Sequence, residues 1–290
     1  MNASKARVSV AWLGQMGLQV TVNETTVLVD YFASVYPERR TAPPIPAEAV
    51  RGVDAFLGTH DHLDHIDHGA WRVWATTCPN ARFVFPSMHR PSILNDGIPA
   101  ERHLPMDAGQ NVRVGDITIH AVPAAHEFLS PDDSGHYPCL QYIIEGGGRR
   151  IYHAGDTLRY EGMLHRLQSF GFIDAAIVPI NGRDGRRYRG NCMGNMTFQE
   201  AADLVGELRP GMVIPGHWDM FADNPGDPEA FADYLNAKYK GGYHVPNPPN
   251  SGRIRDMNAV AFFQRKCCII KVVSWRVYLG WKLRCRSVRR

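Results

Sequence analysis

The stretch Thr59-His60-Asp61-His62-Leu63-Asp64-His65 restricts what this chain can fold into more than any other part of it. Three imidazoles and two carboxylates fall within positions 60–65, directly after the apolar run Ala55–Leu57, which reads as a strand. That density of nitrogen and oxygen donors suits borderline divalent cations such as Zn²⁺, Mn²⁺ or Fe²⁺, and is too high for a loop that is merely polar. A strand that stops in a sharp turn can point His60 and His62 at one ion. Asp64 and His65, half a turn further on, can reach a second.

Three other positions share one feature with this stretch: His126, Asp156 and His217 each stand where an apolar strand stops. Strand ends on one edge of a sheet converge, and the loops there hold sites on a rigid scaffold. With them the donors suffice for two ions. His60, His62 and His126 are expected to hold the first, and Asp64, His65 and His217 the second. Asp156 is expected between them, because a carboxylate has two oxygens to share. Two cations a few ångströms apart can deprotonate a bridging water at neutral pH, and Asp64 and Asp156 are the candidates to orient it catalytically. Asp30, at another strand end, could accept a hydrogen bond from a ligand imidazole. The remaining His residues, His68, His89, His103, His120, His136, His153, His165 and His244, lack this context or stand alone. Among them His153 could sit near the site, and His136 is a candidate proton donor.

The chain opens with strands expected at Val8–Trp12, Leu18–Val22 and 26–29, broken by Gly14, Gly17 and the Asn23-Glu24 turn. Residues 35–50, rich in Pro and charge, read as a surface excursion. A helix over 66–75 carries Trp71 and Trp74, a strand follows at 82–85, and a short helix from Pro86 holds His89. Hairpins are expected at Asn111–Val114 with 117–122, and at 140–144 with 150–153. Then come a helix at 161–170, a buried strand at Ala175–Pro179 and a helix at 197–208. Thr197 and Glu200 form a capping box for that helix. A strand at 212–214, a helix at 228–237 and a strand at 259–263 close the series. Strand blocks followed by strand–helix alternation, occurring twice, predict two β-sheets face to face with helices outside, as one domain over 1–264.

At this point a resemblance is plain. The motif His60-x-His62-x-Asp64-His65, the later His126, the Gly155-Asp156-Thr157 element and the strand-end His217 resemble the metallo-β-lactamase superfamily of hydrolases, from about residue 8 to about residue 263. The resemblance implies an α/β fold, an αββα sandwich of two mixed β-sheets flanked by helices, with a dinuclear site on the seven residues just named. Within the superfamily, Val213-Ile214-Pro215-Gly216-His217-Trp218-Asp219, Gly226-Asp227-Pro228, Thr59 through Asp67, and Met196-Thr197 opening a helix are similar to the L-ascorbate-6-phosphate lactonase branch. Glu127 to Cys139 is shorter here than the matching stretch of that branch.

The run from Asn181 to Gly190 is expected to be a loop on the metal edge. Its Arg183, Arg186, Arg187 and Arg189 could clamp a phosphate by bidentate hydrogen bonds. The best-fitting activity is therefore a lactonase acting on a small phosphorylated sugar acid, an anionic substrate, with two Zn²⁺ or Mn²⁺ ions, Fe²⁺ being acceptable. A phosphodiesterase or nuclease on the same scaffold is the alternative, and a non-catalytic metal-binding protein is the alternative of another class. The net charge of +3 is uneven: residues 265–290 hold nine Lys/Arg and no acid, which leaves 23 basic against 29 acidic residues in 1–264. The body is thus mildly acidic, which disfavours nucleic acid as a partner. The basic stretch 265–290 is set apart as a tail of unassigned role. Six Cys without paired spacing, no apolar leader at Met1 to Lys5 and no apolar run of membrane length point to a cytoplasmic protein without a signal peptide or spanning helix. Homo-oligomerisation is left open.

Overall fold

The computed structural model describes residues 6–239, together with the backbone of 259–264 and 267–272. Side chains along β1 (Val8–Trp12) and β2 (Leu18–Val22) alternate strictly between buried and half-buried, as strands with one face on a core must. They continue into β3 (Thr25–Val29), β4 (Ala55–Leu57), β5 (Arg82–Pro86) and β6 (His103–Met106). The chain then crosses to a second sheet through β7 (Asn111–Val114), β8 (Ile117–Pro123), β9 (Leu140–Gly146), β10 (Arg149–His153), β11 (Ala175–Pro179) and β12 (Val213–Gly216). It returns in β13 (Ala259–Gln264) and β14 (Cys267–Val272). The first sheet has the order β14-β13-β1-β2-β3-β4-β5-β6, and the second β12-β11-β10-β9-β8-β7. Strands β3 to β6 run parallel to one another, as do β10 to β12, while the rest pair antiparallel. Both sheets are therefore mixed, as expected.

Three apolar clusters define the layers. The first lies between the sheets, where Val10, Leu18, Val20 and Val27 meet Ile119, Tyr142, Ile144 and Ile177. A second covers the outer face of the first sheet, with Trp71 and Trp74 of α1 (His68–Thr77) against Phe56, Phe83 and Phe85. The third covers the outer face of the second sheet. There Met163 and Leu167 of α3 (Met163–Gln168), Ala201 and Leu204 of α5 (Phe198–Leu208), and Phe231 of α6 (Pro228–Lys238) pack on Tyr152 and Val178. A short α2 (Arg90–Asn95) and a single-turn α4 (Gly185–Arg189) complete the helices described here. This is the αββα sandwich. Strand β14 extends the first sheet with residues from the basic stretch 265–290, and the rest of that stretch lies outside the described residues.

Two helices differ from expectation for local reasons. Helix α1 starts at His68 rather than 66 because Asp67 is its cap: the Asp67 carboxylate accepts from the backbone N–H of Ala70, Ala33 and Ser34 and from the Ser34 hydroxyl. The stretch 181–190 is not a plain loop, because Asp184 accepts from the backbone N–H of Arg186 and Arg187 and so nucleates α4. The capping box of α5 forms as expected, with Thr197 and Glu200 exchanging both bonds.

The parallel arrangement positions the site. Strands β3, β4, β10 and β12 all run toward one edge, where Asp30, the stretch 58–65, Asp156 and His217 follow in turn. The two sheets are tied at that edge by the Tyr142 hydroxyl donating to the Gly58 carbonyl (2.8 Å) and by Leu140 N–H donating to the Thr59 carbonyl (2.9 Å). Outward from the same loop, His68 is held between two carboxylates, Asp61 Oδ1 at 2.7 Å and Asp96 Oδ2 at 2.5 Å, and Arg72 also reaches Asp96. These bonds join the loop, α1 and α2.

Two predictions test this frame. A Cβ at Gly58 would lie 2.2 Å from Ile66 Cγ1, so Gly58→Ala should destabilise the fold by about 1–3 kcal/mol in denaturant titration; an unchanged midpoint would show that the turn has slack. The Asp61 and Asp96 carboxylates raise the His68 pKa from 6.5 to about 9, against partial burial. A raised histidine contributes stability below its unfolded value and loses it as pH rises through the folded one. Melting temperature should therefore fall more steeply between pH 6.5 and 9 in the native protein than in His68→Gln; parallel profiles would exclude this ion cluster as a stabilising element.

Candidate metal centre

The turn that presents the motif is set by Asp30 at the end of β3. Its carboxylate accepts from Thr59 N–H (2.8 Å), from the Thr59 hydroxyl (2.7 Å) and from His65 Nδ1 (2.7 Å). Asp30 itself adopts a left-handed backbone, φ 45°, which turns this carboxylate under the loop. Carbonyl O of His62 closes the turn by accepting from His65 and Ile66 N–H. Once Nδ1 of His65 is bound to Asp30, its Nε2 is the nitrogen left to face inward. Gly155, with φ 55°, lets the chain bearing Asp156 pass against Thr59, whose side chain would lie 2.9 Å from any Cβ there.

All seven expected ligand residues come together. Their donor atoms form three overlapping groups that could hold a metal ion: His60, His62 and His126; His60, His65 and Asp156; and Asp64, His65 and His217. His60 Nε2 and His62 Nδ1 are 2.9 Å apart. Asp156 lies between the outer groups, with Oδ1 3.3 Å from His65 Nε2 and Oδ2 3.1 Å from His217 Nε2 and 3.8 Å from His126 Nε2. Asp64 Oδ2 is 3.5 Å from His217 Nε2 and 3.6 Å from His65 Nε2. Buried polar atoms normally find a hydrogen-bond partner. Here His65 Nε2 and Asp156 Oδ1 are buried and have none. A cation satisfies such atoms, and the mixed imidazole–carboxylate set fits Zn²⁺, Mn²⁺ or Fe²⁺.

The electrostatics divide the cluster in the same way. Burial, reinforced by the neighbouring imidazoles, lowers His60 well below its ordinary range, lowers His62, and takes His126 down to about 4. These three rings are therefore neutral and present lone pairs at neutral pH. Burial also opposes charge on His65 and His217, but Asp156 and Asp64 outweigh it and raise both. In return the two imidazoles hold Asp64 below, and Asp156 well below, the usual carboxylate range despite burial. The carboxylates are thus ionised and able to bind a cation.

The other expected residues are placed differently. Arg183 forms a two-pronged pair with Glu200 (2.5 and 2.8 Å). Arg187 binds Asp184, Asn224 Oδ1 (2.9 Å) and the Pro225 carbonyl (2.7 Å). Arg186 and Arg189 are exposed on α4. A cavity of about 510 Å³ opens over the cluster; beyond the ligands its wall includes Tyr36, Glu38, Met193, Phe221 and Asp223, and none of the four Arg. His153 is buried and bonds to the Met16 carbonyl (2.8 Å), and His136 pairs with Asp132 at the surface (3.2 Å). Asp61, inside the motif, faces away from the cluster. Its carboxyl is lowered to about 2, first by its hydrogen bond with His68. Sequence reasoning missed Gln15, whose Nε2 donates to Asp64 Oδ2 (2.9 Å). The only signal for it is a polar residue between Gly14 and Gly17 in an otherwise apolar turn.

Comparison with known proteins agrees with this geometry. Residues 25–218 match the family described as the beta-lactamase superfamily domain. A protein of Pyrobaculum calidifontis named UPF0173 metal-dependent hydrolase is 26% identical over 243 residues, covering 83% of this chain and 97% of that protein. A Salmonella heidelberg protein named probable L-ascorbate-6-phosphate lactonase is 30% identical over 207 residues, 67% of this chain and 57% of its own length. In fold, a metallo hydrolase from Ignicoccus hospitalis superposes with a TM-score of 0.67 at 21% identity, over 90% of this chain and 100% of that one. The sandwich, the convergent strand ends and the family match together show that the chain belongs to the β-lactamase superfamily, as a metal-dependent hydrolase with the metallo-β-lactamase fold.

Proposed function

We propose that the protein hydrolyses lactones or related carboxylic esters of small molecules at a pair of divalent ions, Zn²⁺ or Mn²⁺, with Fe²⁺ also suited to the donors. The observation that carries this reading is the position of Asp156, whose two oxygens face both outer ligand groups at 3.1–3.8 Å. Two ions held by these residues would make hydroxide available near neutral pH and polarise the oxygen of the group under attack. The chain's own residues do the rest. His60, His62 and His126 stay neutral and keep their lone pairs for binding. Asp64 and Asp156 stay ionised, fix the spacing of the centre and accept hydrogen bonds from the attacking water, which orients it toward the carbonyl carbon. Burial pushes the Cys139 thiol up to about 12 and raises that of the cavity-lining Cys192, which leaves neither poised as a nucleophile.

A lactone is favoured over other esters by the Salmonella relative's name, whose substrate belongs to that protein. An anionic substrate would be met by Arg186 and Arg189, which are exposed on α4 and precede the cavity-lining residues Asn191, Cys192 and Met193. Arg183 and Arg187 are held by protein partners and would serve by fixing that segment. Glu38 and Asp223 on the wall work against a polyanion, which favours a small molecule over nucleic acid. A cytoplasmic setting fits the free Cys78, Cys139 and Cys192, and among the described residues no helix is long and apolar enough to cross a membrane.

Chelator-treated protein should lose turnover of a sugar-acid lactone and melt at lower temperature, and Zn²⁺ or Mn²⁺ should restore both. Cleavage of a small phosphodiester without lactone opening would move the assignment to a phosphodiesterase. Asp64→Asn should fold normally and lose activity at least about a hundredfold, the scale of a positioned acid–base group; near-native turnover in that variant would remove Asp64 from the chemistry.

A further inference from the structure

We infer that Gln15 is a positioning residue for the ion held by Asp64, His65 and His217, although it contributes no donor to that group. The inference rests on the two-ion reading of the cluster. Gln15 sits in the turn between β1 and β2, far from the motif in sequence, and is 2% exposed. Its backbone N–H, its carbonyl and its side-chain Nε2 are all engaged close to the candidate ligands. Its backbone N–H donates to Asp219 Oδ1 (2.9 Å), and its carbonyl accepts from His217 N–H (3.1 Å) and from Trp12 Nε1 (3.0 Å). Its side-chain Nε2 donates to Asp64 Oδ2 at 2.9 Å. Both Gln15 and His217 are in the left-handed region, φ 53° and 56°, a conformation that costs free energy in a non-glycine residue and persists only where its surroundings fix it.

The geometry specifies what the amide does. Asp64 Oδ2 is the oxygen that approaches His65 and His217, at 3.6 and 3.5 Å. A carboxylate on a short side chain can rotate about its last bond, and the Gln15 donor removes that freedom. The same Nε2 stands 3.3 Å from Nδ1 and 3.3 Å from Nε2 of His217, so the amide also packs against the ring that faces Asp64 and Asp156. Gln15 therefore orients two of the three members of one ligand group, one through its side chain and the other through its backbone. Its side-chain hydrogen bonds go to Asp64 and His217, both in this group, rather than to His60, His62 or His126. Its effect should accordingly fall on one ion and spare the other. Glutamate could not replace it, since a third carboxylate would then face Asp64 and Asp156.

The test is calorimetric titration of chelator-stripped protein with Zn²⁺ alone, comparing native protein, Gln15→Met and His126→Ala. Methionine keeps the side-chain volume and lacks the donor, and far-UV circular dichroism with a melting curve on the metal-free protein establishes that each variant folds. Native protein should take up two ions in separable steps. Gln15→Met should weaken one step by about 10–100-fold, the effect of removing a partner of a metal ligand, and leave the other unchanged. His126→Ala should weaken the opposite step. A Gln15→Met profile that matches native protein, or that weakens both steps equally, overturns the inference and leaves the two-ion reading intact. A native protein that takes up a single ion overturns the two-ion reading and this inference with it.

Discussion

The carboxylate of Asp30 is the constraint on which the centre depends. It is fully buried, and its bonds go to Thr59 and His65 rather than to any Lys or Arg. A buried charge without partners is costly, so the native loop conformation, which supplies two donors from Thr59 and one from His65, is strongly preferred over conformations that do not. One residue thereby fixes three things: the path of the chain leaving β4, the side of that chain on which His65 lies, and the nitrogen of His65 that faces the cluster. Because Asp30 ends β3 and the motif follows β4, two adjacent parallel strands define the position of the loop. The second sheet adds Asp156 and His217 from the ends of β10 and β12, so no ligand depends on a long flexible connection.

The motif has two faces with different duties. His60, His62, Asp64 and His65 turn inward to the cluster, while Asp61 turns outward to His68 and Ser92. The outward contact joins the loop to α1 and α2 and sets its outer edge, so that inward repulsion between close imidazoles cannot push the loop open. His60 and His65 have ring centroids only 4.1 Å apart, and such rings would repel if both were protonated. Burial keeps His60 neutral, and the carboxylates concentrate the positive charge on His65 and His217. A divalent ion could replace those protons, because it would present the same sign of charge to Asp64 and Asp156.

How much of this was legible in the sequence depends on the range of each interaction. The candidate ligands were legible because chemistry restricts metal donors to a few side chains and topology restricts them to strand ends, and the structure brings His126, Asp156 and His217, singled out by that rule, into one cluster with the motif. Asp30 was found by the same rule as a partner of a ligand imidazole. Caps are local and were partly visible: Thr197 with Glu200 was read, whereas Asp67 was placed inside the expected helix 66–75 rather than at its cap. The Arg run was legible as charge and opaque as structure, because the partners of Arg183 and Arg187, Glu200 and Asn224, lie 17 and 37 positions away. Gln15 was invisible for the same reason at greater distance, 49 positions from Asp64 and 202 from His217.

That distance has a physical consequence for how the centre assembles. The β1–β2 turn belongs to the first part of the chain and β12 to the far end of the second sheet, yet they meet through Gln15, His217 and Asp219. The group formed by Asp64, His65 and His217 therefore exists only when both sheets are docked. The His60, His62 and His126 group is built alike, with two members from the motif loop and the third from the chain just past β8 of the second sheet. Both ligand sets are therefore complete only in the docked sandwich. The Asp64, His65 and His217 group has a further tie across the sheets in Gln15. An ion held by either group would stabilise the packing of the two sheets, since opening that interface separates His217 from Asp64 and His126 from His60 and His62.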